Sequence, residues 1–314
     1  MFEFLASLFG YLLSFLYNII NNYGIAIILF TVIIKLLLLP LSIKQQRTMK
    51  KSAKIQEKMK VIQFKYKNDP EKMNQEVMEL YKTEKMSPFS GCLTSILQLV
   101  IILSVFWLVS QPLTYMKKID NNLIDAYTTE MKESGYNSNN SYVQIATIDY
   151  AETKYQEISK QLEQENVENR EELVKKQQEY NQLRLNMEFL GIDLSKVPTQ
   201  NLNDWRVYVI PVLYVITSII STKLTTVTQK KKQKQDIVVS GEEDNKEVDP
   251  TEQMQQMSNS MMYMIPVMSV MIAIIAPLGL ALYWLASNIL MIIERLIINK
   301  VMEKDDNKEE SSNG

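Results

Sequence analysis

Four long stretches of this chain carry almost no charge, and that clustering restricts its possible folds more than any other feature. Gly24 to Ile43, Cys92 to Leu113, Val207 to Thr222 and Gln253 to Ile293 are dominated by apolar residues, while the charged residues fall between them. One helix of about 20 apolar residues crosses a bilayer. The last run is about twice that length, and Pro277-Leu278-Gly279 cuts it where a chain would turn. The chain is therefore read as an all-α membrane protein with five transmembrane helices, at 23–43, 90–113, 206–223, 259–276 and 278–298.

The near-neutral net charge of −2 conceals an asymmetry, because Lys44 to Lys85 holds twelve basic residues against six acidic ones. Lys223 to Lys234 is basic again, with the run Lys230-Lys231-Lys232. Lys and Arg close to span ends mark the cytoplasmic side. Residues 44–86, the linker 224–258 and the tail 299–314 are thus expected in the cytoplasm. The N-terminus and the segment 114–205 are expected outside, in a multi-pass plasma-membrane protein. Residues 1–22 are apolar but interrupted by Glu3, Ser7, Ser14 and Asn18, and they lack a basic start. They are read as an amphipathic helix lying in the outer interface, with a sixth span as the alternative and a removable signal peptide as the weaker reading.

A single cysteine, Cys92, and the absence of histidine exclude a disulfide framework, Cys-rich and His metal sites, and His-based acid–base catalysis. No cofactor or metal is expected, and no Gly-rich phosphate loop or internal repeat is found. The chemistry points away from an enzyme.

Residues 44–86 read as a helical hairpin. Ile55, Met59, Ile62 and Tyr66 recur at helical spacing, followed by Met73, Val77 and Leu80-Tyr81. Asn68-Asp69-Pro70 supplies the turn, since Asp can cap a helix and Pro suits its first position. Met49, Met59, Met73, Met78 and Met86 could adapt to varied partners or simply hold the two helices together. In the segment 114–205, Ala151 to Met187 lacks Pro and Gly, and Ile158, Leu162, Leu173, Tyr180, Leu183 and Met187 recur at helical steps. This spacing predicts an extracytoplasmic, coiled-coil-like arm of one long helix or two.

Lys35 lies eleven residues beyond Gly24, near the middle of an apolar span. A cation at that depth costs about 3 kcal/mol on insertion scales. It must therefore face protein, water or a partner, or snorkel about 12 Å of helix to the cytoplasmic interface. Thr31 shares its face at i and i+4, and Ser95, Gln98, Ser269, Ser287 and Asn288 place further polar groups in the other spans. These could line one wet concavity or serve singly as interhelical glue. No second buried ion partner for Lys35 is legible, and no nucleophile, base and orienting group occur together.

Several ordered motifs carry a resemblance. Tyr23-Gly24-Ile25-Ala26-Ile27-Ile28 through Lys35 to Leu39-Pro40-Leu41, then Lys44-Gln45-Gln46, is similar to the first span of the YidC/Oxa/Alb insertase family. Tyr66-Lys67-Asn68-Asp69-Pro70, Leu80-Tyr81-Lys82, Pro88, Gly91-Cys92-Leu93 and Gln98 resemble that family's hairpin and second span. Phe189-Leu190-Gly191-Ile192-Asp193-Leu194, Pro277-Leu278-Gly279-Leu280 and Tyr283-Trp284 extend the likeness, which covers residues 5–116 and 188–300. The chain departs from the family at Lys35, where arginine is usual, and at Thr94 and Val100, where proline is often found.

The resemblance implies a membrane protein insertase and chaperone of the bacterial plasma membrane. Its groove would open to cytoplasm and lipid, lined by Lys35, Thr31, Gln98, Ser95, Trp284, Ser287 and Asn288. Met59, Tyr66, Asp69, Pro70, Met73 and Met78 of the hairpin would contact substrates or the ribosome. The implied partners are nascent membrane proteins and the lipid bilayer, with the ribosome and the Sec translocon as further candidates. A monomer without specific DNA binding is expected. The rival readings are a small transporter or channel, and a membrane scaffold acting through its external arm.

Overall fold

The computed structural model describes residues 2–84, 90–136, 142–164, 169–233 and 271–312. The expected fourth span, with Ser269, lies outside these residues as far as position 270, and the expected linker does so from position 234. The described chain is almost wholly helical, and four of its helices are long and apolar enough to cross a membrane.

Helix α1 (Phe2–Ile20) ends and α2 (Tyr23–Lys65) begins at two asparagines. Asn21 takes a left-handed conformation with φ 51°, which Asn tolerates better than most residues and which stops a right-handed helix. Asn22 then caps α2, its side-chain oxygen accepting from the Ile25 amide at 3.0 Å. Its side-chain nitrogen donates to the Glu188 carbonyl at 2.7 Å, which ties this corner to the arm.

α2 is 43 residues long and passes through Pro40 without a break. The expected first span and the first leg of the hairpin are thus one continuous helix. A tight turn after Tyr66 leads into α3 (Pro70–Thr83), where Asp69 accepts from the Lys72 amide at 3.1 Å and Pro70 takes the first turn. The proline at that position needs no amide partner, as the sequence implied. The legs are joined by the Lys58–Glu84 ion pair and by the Tyr66 hydroxyl donating to Glu76 at 3.2 Å.

Helix α4 (Ser90–Ser110) leads into the short α5 (Pro112–Tyr115), and the arm follows as α6 (Asn121–Glu133), α7 (Val143–Leu162) and α8 (Arg170–Leu183). Among the described residues the Ala151 to Met187 pattern resolves into two helices, α7 and α8, packed on one another. Ile158, Tyr180 and Leu183 are buried at their contact, as the spacing required. Met187 is also buried, but from a non-helical stretch, because the chain turns extended at Arg184 (ψ 144°). Four tyrosines, Tyr127, Tyr136, Tyr150 and Tyr180, meet edge to face in the arm. The hydroxyls of Tyr150 and Tyr180 both donate to one Glu130 carboxylate oxygen.

A two-stranded hairpin, β1 (Glu188–Phe189) with β2 (Ile192–Asp193), turns at Leu190 and Gly191, whose φ angles of 51° and 77° are both positive. Among the described residues it is the only strand pairing, which the all-α expectation omits. It also places Phe189 against Gly24, where a Cβ would lie 2.6 Å from the Phe189 ring. Helices α9 (Val209–Gln233) and α10 (Leu278–Ser312) complete the described chain, with residues 271–275 helical before α10.

α10 packs mainly on α9 and α2, while α4 packs on α1 and α2. The largest fully buried side chains of these helices, Tyr23, Ile27, Phe30, Leu108, Leu278 and Leu280, all lie near the arm. Toward the hairpin the outward faces of α2, α9 and α10 expose Leu36, Leu37, Ile216, Ile219, Ile293, Leu296 and Ile297, the surface a lipid phase would cover. α1, itself one of the four helices long enough to cross a membrane, is attached toward the arm at several points. Its Ser7 is bonded by Lys118, its Gly10 touches Tyr115, and Tyr17 and Asn21 accept from Asn186 at 2.8 Å.

Candidate functional site

Lys35 lies on α2 about 18 Å from Tyr23 at 1.5 Å per residue, just past the packed layer near the arm. Its ammonium is 3.5 Å from Oε2 of Glu294 on α10, and the two side chains are only 18% and 11% exposed. The expectation that Lys35 has no charged partner within the spans is overturned here. The missed signal was visible, since Glu294 and Arg295 interrupt the apolar run of the fifth span. They read as a flank of the cytoplasmic end, yet the helix continues well beyond them.

The pair is not saturated. At 3.5 Å it exceeds the 2.7 to 2.9 Å usual for a charge-assisted hydrogen bond. The other carboxylate oxygen, Oε1 of Glu294, is buried with no hydrogen-bond partner among the described residues. Arg295 interacts electrostatically with the same carboxylate from the next position.

The remaining groove candidates fall into three groups. Asn288 is buried on α10 and donates to the Thr217 hydroxyl of α9 at 3.4 Å, so its amide bridges the two helices. Thr217, with Ser218 and Ser221, forms a polar stripe on α9 whose Thr-Ser and Ser spacing was legible but passed over. Thr31 is buried too, but its hydroxyl donates at 2.6 Å to the Ile27 carbonyl of its own helix. That bond satisfies Thr31 locally and leaves it little to offer a visitor.

Gln98 and Ser287 are half-buried on α4 and α10. Trp284 is half-buried against Tyr214, with ring centroids 6.1 Å apart. Ser95 lies on α4, and its side chain falls outside the description.

In the hairpin, Asp69 and Pro70 make the turn, and Tyr66 is flanked by the ammonium groups of Lys65 and Lys72 at 5.1 and 5.5 Å. Met59 and Met73 are half-buried, Met59 accepting from the Tyr81 hydroxyl at 3.9 Å. Met78 is 56% exposed. Met59 thus joins the two helices, while Met78, like Met49, faces outward. The arrangement offers charge, hydrogen bonds and apolar surface, with no assembled nucleophile and base among the described residues.

Comparison with known proteins identifies the family. The model of the 60Kd inner membrane protein family matches residues 15–306. A protein of Caldanaerobacter subterraneus subsp. tengcongensis named membrane protein insertase YidC is 45% identical over 102 residues, 32% of this chain and 50% of that protein. The protein of the same name from Syntrophobacter fumaroxidans is 46% identical over 105 residues, 33% of this chain and 19% of that protein. That from Cupriavidus necator is 44% identical over 97 residues, 31% of this chain and 18% of that protein. The matched stretches thus span half or less of these relatives. With a family match running through every apolar helix from α2 to α10, the chain is a multi-pass membrane protein belonging to the 60Kd inner membrane protein family.

Proposed function

We propose that this protein inserts apolar segments of other membrane proteins into the bacterial inner membrane, without catalytic chemistry of its own. The observation that carries this reading is the Lys35 cation held inside an apolar helix layer, just below the tightly packed ends near the arm. A polar lining there would hold the hydrophilic part of a client while its apolar part leaves sideways into lipid. Partition of that apolar part provides the driving force. Asn288, Gln98, Ser287 and Thr217 would replace water lost by the client backbone, which cannot stay unbonded in hydrocarbon.

In this reading the spans number five, the arm lies outside and the hairpin with the tail lies inside. α1 lies in the outer interface, a placement supported by its attachments toward the arm at Ser7, Gly10 and Tyr17. Met78 and the basic surface of the hairpin would receive clients or the ribosome, whose phosphates suit Lys and Arg. The Sec translocon is a candidate partner, and the protein acts as a monomer.

The test is insertion of a short single-span client into liposomes containing only this protein, with Lys35→Arg, Lys35→Ala and Lys35→Glu compared. Insertion by wild type and Arg with loss in Glu for an acidic client is expected. Absence of insertion by wild type would sink the reading. The buried Lys35–Glu294 pair is also what a small transporter could use, so the same vesicles should be tested for solute and ion uptake. Uptake that depends on Lys35 would favour the transporter.

A further inference from the structure

Glu294 gives the groove a feature beyond a single positive charge. We infer, resting on the insertase reading, that Glu294 is the resting counter-ion of Lys35 and lets the groove accept hydrophilic segments bearing neutral or basic residues as well as acidic ones.

Three observations lead there. The pair spans two helices, α2 and α10, so it forms only when the wall of the groove is assembled. It is long for a charge-assisted bond, which leaves Lys35 exchangeable: an incoming carboxylate must compete with Glu294 rather than meet an unpaired cation. Oε1 of Glu294 is buried and accepts from no described group.

A half-satisfied buried carboxylate oxygen is unfavourable, and any entering N–H donor relieves it. Client backbone amides are such donors, and Lys or Arg side chains are stronger ones because they add charge. A groove holding Lys35 without this carboxylate would repel them. The consequence is a site with both an anion-seeking and a cation-seeking end, about one helix layer below the packed region.

The experiment uses three single-span clients that differ only in a short tail carrying two Asp, no charge, or two Lys. Each is presented to liposomes holding wild type, Glu294→Gln, or the exchanged pair Lys35→Glu with Glu294→Lys. Removing one unit charge roughly 8–10 Å from a client charge at an effective dielectric of about 20 changes a ratio by more than about tenfold. Glu294→Gln is therefore expected to lower insertion of the Lys tail relative to the Asp tail by about that factor. The exchanged pair should restore the wild-type ratio and also guards against misfolding of the single variant.

A ratio unmoved by Glu294→Gln, or moved but not restored by the exchange, overturns the inference while leaving the insertase reading intact. Failure of wild type to insert even the uncharged tail overturns both.

Discussion

A Cβ atom placed on Gly10 would lie 1.8 Å from the backbone carbonyl oxygen of Tyr115, so α1 and α5 approach as closely as two backbones can. The obstacle is main chain and cannot swing aside. Gly10→Ala should therefore push α1 off its seat and cost about 1 to 3 kcal/mol, the usual penalty of overpacking. Thermal unfolding in detergent and protease access to the first twenty residues measure this. An unchanged midpoint would show that α1 does not sit there.

Arg184 joins two parts of the arm. It donates to the two Glu152 carboxylate oxygens at 2.6 and 3.0 Å, and its guanidinium lies 3.6 Å from the centre of the Tyr155 ring. Lysine keeps the charge but neither the fork nor the planar stacking. Arg184→Lys should lower arm stability by about 1 kcal/mol, a modest figure because both partners are partly exposed. A double-mutant cycle with Glu152→Gln should return a coupling of similar size; zero coupling would leave Arg184 as a mere neighbour.

Asp149 borders a cavity of about 260 Å³ between the arm and the Ser195 to Asn201 segment. Burial is the main cause raising its pKa, reinforced by nearby Asp193 and opposed by bonds from Tyr136 and Ser195 and by Lys196. A carboxyl with a raised folded-state pKa binds its proton more tightly when folded. Its contribution to stability is present below the unfolded value and is lost as pH rises through the folded value. The arm should thus lose stability as pH climbs from about 4 through the folded pKa, and Asp149→Asn should flatten that slope. Urea unfolding of the protein at several acid pH values decides it, and a slope unaltered by the substitution would exclude Asp149 as its source.

Met59 and Met78 should behave oppositely. Met59→Ala removes a contact between the hairpin legs and should loosen them by about 1 kcal/mol, less than a full core truncation because the site is half-buried. Met78→Ala touches little and should leave the hairpin fold unchanged. If Met78→Ala nevertheless weakens crosslinking of nascent chains at α3, the exposed thioether is a client contact. If neither fold nor crosslinking changes, Met78 is only surface.

The hairpin was the most legible part of the fold, because Asn68-Asp69-Pro70 allows few conformations and the structure places Asp69 and Pro70 as cap and first turn. Lys35 was legible as costly wherever it stood. Its partner was not, since a carboxylate fifteen residues beyond Gly279 reads as the end of a span when nothing in one chain pattern tells which helix stands opposite. Thr31 shows the converse error: correct spacing beside Lys35, yet a hydroxyl already committed to its own backbone. The break between α7 and α8 and the tethering of α1 depend on contacts between distant segments, to which periodicity is blind.

The unbroken length of α2 has a mechanical meaning. Tyr66 at the hairpin turn stands about 46 Å along the helix from Lys35, on a rod whose arm-side end is clamped by Asn22, Asn186 and Phe189. Pro40 removes one amide from that rod and makes it the natural fulcrum. Tip and ammonium are thus joined by helix alone, with no loop between them.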